Sequence, residues 1–147
     1  MSIPEEIREA VASVTDIKQF MYESPGVANL RLDRAEFPCA VLYCITTTTI
    51  DTSLGYQRES ADCNLFFLTK ADSIDFDGWK NEAKIAEMKR LAMSFYTALT
   101  DRGNLSIDGT QLVLRSVYDN HDALLTGVSF QFRSVEKVGK CIGGGDE

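Results

Sequence analysis

The stretch from Gln111 to Val135 restricts the possible folds more than any other part of the chain. Val128, Phe130 and Phe132 alternate with Ser129, Gln131 and Arg133, the period-2 pattern of a strand with one dry face and one wetter face. A polar turn through Asp119-Asn120-His121-Asp122 separates this arm, Leu124–Val135, from an earlier one, Gln111–Tyr118, so the pair reads as a β-hairpin. A lone hairpin is only marginally stable in water, and other strands or helices must cover its dry face.

The first half of the chain offers such partners. Ser2-Ile3-Pro4-Glu5 has the residues of a capping box, and Ile7, Val11, Val14, Ile17 and Met21 recur at helical spacing beside Phe20. This predicts a helix to about Tyr22, ended by Ser24-Pro25-Gly26. Residues 27–36 admit either a short edge strand or a loop crossing the sheet. Phe37–Ile45 is almost wholly apolar and predicts a strand covered on both faces, by a helix on one side and a neighbouring subunit on the other. Thr46–Ile50 carries that strand out of the core, Asp51–Gly55 forms a turn-rich tip, and Tyr56–Thr69 returns. On the return, Ala61, Cys63, Leu65 and Phe67 share one face, whereas Gln57–Ser60 is polar. The expected object is a long hairpin with its base in the core. Its tip, Thr46–Ser60, projects into a partner or a ring lumen, or is a plain surface loop.

The second half supplies the cover. Asp77 suits the cap of a helix from about Trp79 to Thr100 with Ile85, Met88, Ala92, Phe95 and Leu99 along one stripe. Asp72–Gly78 looks like a calcium loop, but an EF-hand count puts Lys84 where a bidentate carboxylate is required. Gly103 suits the helix C-terminus, Leu105–Ile107 starts a strand, Asp108-Gly109 makes a turn or bulge, and Leu112–Leu114 resumes the strand. Gly127 marks a bulge or a close backbone approach. The order helix–hairpin–helix–hairpin predicts a single α+β domain over residues 1–142, with a mostly antiparallel four-stranded sheet, two helices and a flexible Gly-rich tail over residues 143–147.

Chemistry is sparse. The net charge of −7, with basic residues scattered except at Lys89-Arg90, argues against electrostatic capture of nucleic acid. No apolar run reaches the roughly 20 residues of a membrane span, and no apolar signal stretch opens the chain, so an intracellular, soluble protein is expected. Cys39, Cys44 and Cys63 sit in apolar strand-like runs and are expected as reduced core thiols; with Cys141 they form no zinc-type spacing. The single histidine, His121, sits in a turn with no recognisable nucleophile motif beside it. The pairs Glu59 with Asp62 and Asp75 with Asp77 read as surface solvation, and no glycine cluster has a phosphate-loop context. No catalytic, cofactor-binding or metal residue is expected, and no enzymatic activity.

Several segments carry a resemblance to a known family over about residues 5 to 142. They are Phe37-Pro38-Cys39-Ala40-Val41, the strand ending Asn64-Leu65-Phe66-Phe67-Leu68-Thr69-Lys70-Ala71-Asp72, and Met88-Lys89-Arg90-Leu91-Ala92. The most telling is Val117-Tyr118-Asp119-Asn120-His121-Asp122 followed by Leu125-Thr126-Gly127-Val128. With them the chain resembles small phage or prophage tail proteins of Bacteroides-type genomes, and its element order is similar to that of tail terminator and tail-completion proteins. The resemblance implies a non-catalytic subunit that self-associates into a ring, commonly a hexamer, and meets other tail or head–tail connector proteins. It implies a place in the bacterial cytoplasm during assembly and then in the virion tail, with DNA passing through the lumen without specific binding and no membrane partner. The projecting segment would be Thr46–Ser60, and the joining edges would lie near Leu30–Leu32 or Leu105–Ile107. Two other readings stand beside it: a protein-binding module of unknown partner, and a small hydrolase with a polar pocket near His121, Asp119 or Glu59.

Overall fold

The computed structural model describes residues 1–71, 78–120 and 125–141. Within them the chain is α+β, with three α-helices and a mixed sheet of seven strands to which a two-residue eighth strand is added.

Helix α1, Ile3–Ala12, starts as its sequence predicts. The Ser2 hydroxyl accepts from the Glu5 N–H, while the Glu5 carboxylate accepts from the Ser2 N–H at 2.7 Å. Those bonds to Ser2 hold the Glu5 carboxyl below its ordinary range. Contrary to expectation the helix stops at Ala12, and Gln19–Glu23 is strand β1. Val14, Ile17 and Phe20 still pack on the core that holds Ile7 and Val11, so one apolar stripe serves first a helix, then two turns, and then a strand. Met21 turns to the opposite face.

Ser24-Pro25-Gly26 begins a helix instead of merely ending one. Proline is pre-organised for the first helical turn, and α2 runs over Pro25–Arg31 into a 3-10 turn at Leu32–Arg34. Residues 27–36 are therefore neither edge strand nor plain loop. Strand β2, Cys39–Tyr43, then pairs in parallel with β1, making β1–α2–β2 a crossover unit. An Arg31–Glu23 ion pair at 2.9 Å ties α2 to β1.

The remaining strands are antiparallel. They are β3 (Thr48–Asp51), β4 (Tyr56–Lys70), β5 (Leu105–Ile107), β6 (Val113–Asn120), β7 (Leu125–Glu136) and β8 (Lys140–Cys141). The sheet order is β1-β2-β4-β7-β5, with β3 also on β4 and β6 also on β7. Strands β2 and β3 follow one another along the same side of β4, as β5 and β6 do along β7 and β7 and β8 do along β4. Each pair is a single strand line broken by extra residues: Leu42 to Thr48 lies opposite only Leu65 to Ala61, and Ile107 to Val113 opposite only Ser134 to Gln131. The expected four-stranded, mostly antiparallel sheet with two helices is therefore corrected: the breaks divide its strands, β1 adds a parallel edge, and there are three helices. Lys140–Cys141, at the end of the expected domain, pairs with Gln57 and Tyr56. Residues 142–147, with the expected Gly-rich tail, lie outside the described residues, as do 72–77 with the rejected calcium loop and the Asp77 cap, and 121–124 with His121 and Asp122.

Helix α3, Gly78–Arg102, lies with α1 on one face of the sheet. Phe95 is its centre: the rings of Phe67, Phe130 and Phe132 stand 5.9, 6.3 and 6.0 Å from it. The buried Glu6 carboxylate fastens α1 to the end of α3, accepting from Arg102 at 2.8 Å and Asn104 at 2.9 Å. Gly103 takes φ of 77° just beyond α3, as its position predicts.

The other face carries a second, smaller core in which Met21, Ala28, Leu32, Val41, Phe66 and Leu68 meet. The strand Cys39–Tyr43 is covered on both sides, as its apolar run predicts. The second cover is this chain's own α2 and the turn after it, not a neighbouring subunit.

At Gly127 the backbones of β7 and β4 approach so closely that a Cβ would overlap the Phe67 carbonyl oxygen. Gly127→Ala is expected to cost about 3 kcal/mol, because the obstacle is backbone in the middle of the sheet and has no free rotamer. Urea denaturation should show a lowered midpoint with little change in slope.

Candidate functional site

Two features of the second sheet face are candidates for function: the distal hairpin and a groove at its base. Strand alternation sets the two faces apart, and the groove still reaches the core residues Cys63 and Phe132. Asp62, Asn64 and Phe66 of β4 point to the face opposite Cys63, Leu65 and Phe67, and only Phe66 and Leu68 reach the cover of α2. Beyond α2 the face is polar. The Asn64 side-chain oxygen accepts from the Ser129 hydroxyl at 2.8 Å, and Asp62 stands opposite Arg133 with 3.7 Å between carboxylate and guanidinium.

The groove, of about 590 Å³, lies where β2 breaks before β3. Tyr43, Cys44, Thr46, Asp62, Asn64 and Gln131 line it, with Pro25 at the start of α2. The hairpin runs on from there. Thr48, Thr49, Ile50 and Asp51 are all exposed, as are Tyr56, Gln57 and Arg58 of β4. The tip is nevertheless built. Asp51 accepts from the Ser53 N–H at 3.0 Å, which holds its carboxyl below the ordinary range, and Gly55 takes φ of 77°. Glu136 accepts from the Glu59 N–H at 2.8 Å where β7 breaks before β8.

Residues singled out in the sequence are scattered by this arrangement. Asp62 lines the groove, Glu59 lies near the hairpin tip, and Asp119 belongs to β6. Asp75, Asp77 and His121 lie outside the described residues. Of the two predicted joining edges, Leu30–Leu32 is not an edge at all: Leu30 is exposed on α2 and Leu32 is buried in the second core. Leu105–Ile107 is strand β5 at the margin of the sheet. Among the described residues no group of three His, Cys, Asp or Glu could hold a metal ion, and no helix is long and apolar enough to cross a membrane.

The thiols divide. Cys39 and Cys63 are buried, as expected; Cys44, the residue after β2 where the chain leaves the core, is exposed instead. Burial pushes Cys39 up to about 12 and Cys63 up to about 11, from a usual value near 9. Neither thiol supplies thiolate near neutral pH. Sequence reasoning missed the exposure of Cys44 and the groove with it; the threonine run that follows is the one signal of a strand leaving its cover.

No protein-family model matches the chain, and no curated protein matches it.

In the folded protein Cys44 should react with a maleimide, whereas Cys39 and Cys63 should label only on unfolding, read site by site by peptide mass spectrometry. The two buried thiols also set a pH direction. Above pH 9 the unfolded chain ionises them first and the folded chain does not, so their contribution to stability is lost between about pH 9 and 12. Denaturation midpoints should fall across that window, and by less in Cys39→Ala once its cavity cost is subtracted.

Proposed function

We propose that this chain is a structural phage or prophage tail subunit, a ring-forming tail terminator or tail-completion protein with no catalytic activity. One observation carries the reading beyond the sequence resemblance: a strand hairpin that extends past the helices, exposed over Thr48–Asp51 and Tyr56–Arg58 yet fixed by a built tip. Ordering a polar hairpin costs conformational entropy that burial does not return here, which favours a role in contact with another subunit. The charge of −7 per chain agrees with a lumen that repels passing DNA, since a ring multiplies it. Self-association, contact with other tail or connector proteins, and residence in the host cytoplasm and then the virion tail belong to this reading. The groove beside Tyr43 and Asn64 favours a second reading, a protein-binding module whose partner enters that groove.

Light scattering on a size-exclusion column across a tenfold concentration range tests the ring. The expected result is a mass that reaches about six times 16.3 kDa. Replacing residues 48–57 by a two-residue turn should then return the mass to one chain and keep the helical signal. A mass of one chain at every concentration would remove the solution ring and leave the binding module as the better account.

A further inference from the structure

We infer that β3 is a strap that opens from β4 as a unit, separately from global unfolding, with Arg133 as its clasp. The inference does not depend on the tail-protein reading. Three observations carry it.

The strap has little to hold it. All four of its residues are exposed, and its outer side has no strand partner among the described residues. Segments with few buried apolar contacts open at free energies well below that of the whole domain. Its ladder to β4 is short: the Thr47 carbonyl accepts from the Asp62 N–H at 3.3 Å, and alternation makes Thr49 with Ser60 and Asp51 with Arg58 the hydrogen-bonded pairs. Thr48 and Ile50 turn their peptide groups outward.

The strap also has a hinge. Five residues lie between Leu42 and Thr48 and only three between their partners Leu65 and Ala61, so the ladder is interrupted there. The buried part of the strand ends at Leu42, on the core side of this break. Opening can therefore stop at the break without disturbing β2.

Finally, one side chain spans the three strands that meet here. Arg133 of β7 reaches over β4, donating to the Ser60 hydroxyl at 3.2 Å and to the Thr49 hydroxyl of β3 at 3.0 Å. Asp62, directly opposite it, steadies the guanidinium. Releasing Thr49 removes this tie from β7 and leaves the strap held by its short ladder to β4 alone. Because Cys44 and Thr46 in the break also line the groove, an open strap changes the groove's wall.

Amide hydrogen exchange on the full-length chain, followed by NMR at increasing low urea, tests both parts. Thr49 and Asp51 amides should exchange with almost no urea dependence, while Leu65 and Phe67 amides follow the steep dependence of global unfolding. A shared steep dependence would overturn the separate opening. For the clasp, Arg133→Gln should speed Thr49 and Asp51 exchange by up to about fivefold, the scale of a half-exposed ionic contact. Thr49→Val, which keeps the β-branched shape and removes the acceptor, should act in the same direction. The double variant should then be no faster than Arg133→Gln alone. Thr49 and Asp51 rates unchanged in both single variants, or variants whose effects multiply, would overturn the clasp.

Discussion

The pairing of β4 with β7 is the constraint on which the rest of the molecule depends. Eleven successive residue pairs join them, from Ser60 opposite Val135 to Lys70 opposite Leu125. That register places Phe67, Phe130 and Phe132 where Phe95 can fill the space between them, and it places Phe66 and Leu68 where α2 can cover them. A shift by one residue would send each set to the wrong face. Gly127 enforces the register, since the close approach to Phe67 suits a residue without a Cβ at that one position.

Around this pair the sheet has a covered half and an open half. Where β4 is buried on both faces it is a sandwich centre, with α1 and α3 on one side and the short α2 on the other. Past Ser60 the burial ends and the same strand continues as one arm of a polar hairpin. The breaks in the neighbouring strand lines fall near this transition: Cys44–Thr47 on one side of β4, residues 108–112 beyond β7. Extra residues release a strand from strict alternation just where its environment changes. The groove, the exposed thiol and the Arg133 contacts all occur at the same level of the sheet.

Much of this was legible in the residues. The alternation of Val128, Phe130 and Phe132, the stripe of α3, the two-faced apolar run of β2 and the roles of Gly103 and Gly127 each follow from local pattern. The first third was not. Ile7, Val11, Val14 and Ile17 keep helical spacing although the helix stops at Ala12, because the turns after it, closed by Val14 N–H to Val11 and Ile17 N–H to Val14, hold the chain over the same core. Periodicity reports the face that a residue must reach, not the conformation that takes it there. Ser24-Pro25 suits the start of a helix as well as the end of one, and parallel pairing of β1 with β2 leaves no mark comparable to a hairpin turn. On the functional side, sequence pattern identified the projecting hairpin. It could not show the groove, which is formed by residues from α2, β2, β4 and β7 brought together across more than one hundred positions.

The chain order of these parts has a consequence for synthesis. Strand β1, α2 and β2 are made before β4 and can meet it as soon as it leaves the ribosome, yet the second long neighbour of β4 follows only after the whole of α3 and the β5–β6 line. During that interval Phe66, Phe67 and Leu68 belong to a strand with one free edge. That edge stays unpaired until Leu125–Glu136 appears, and α3, made in between, can shield Phe67 on the face of the strand while the N–H and C=O groups of its edge wait for β7.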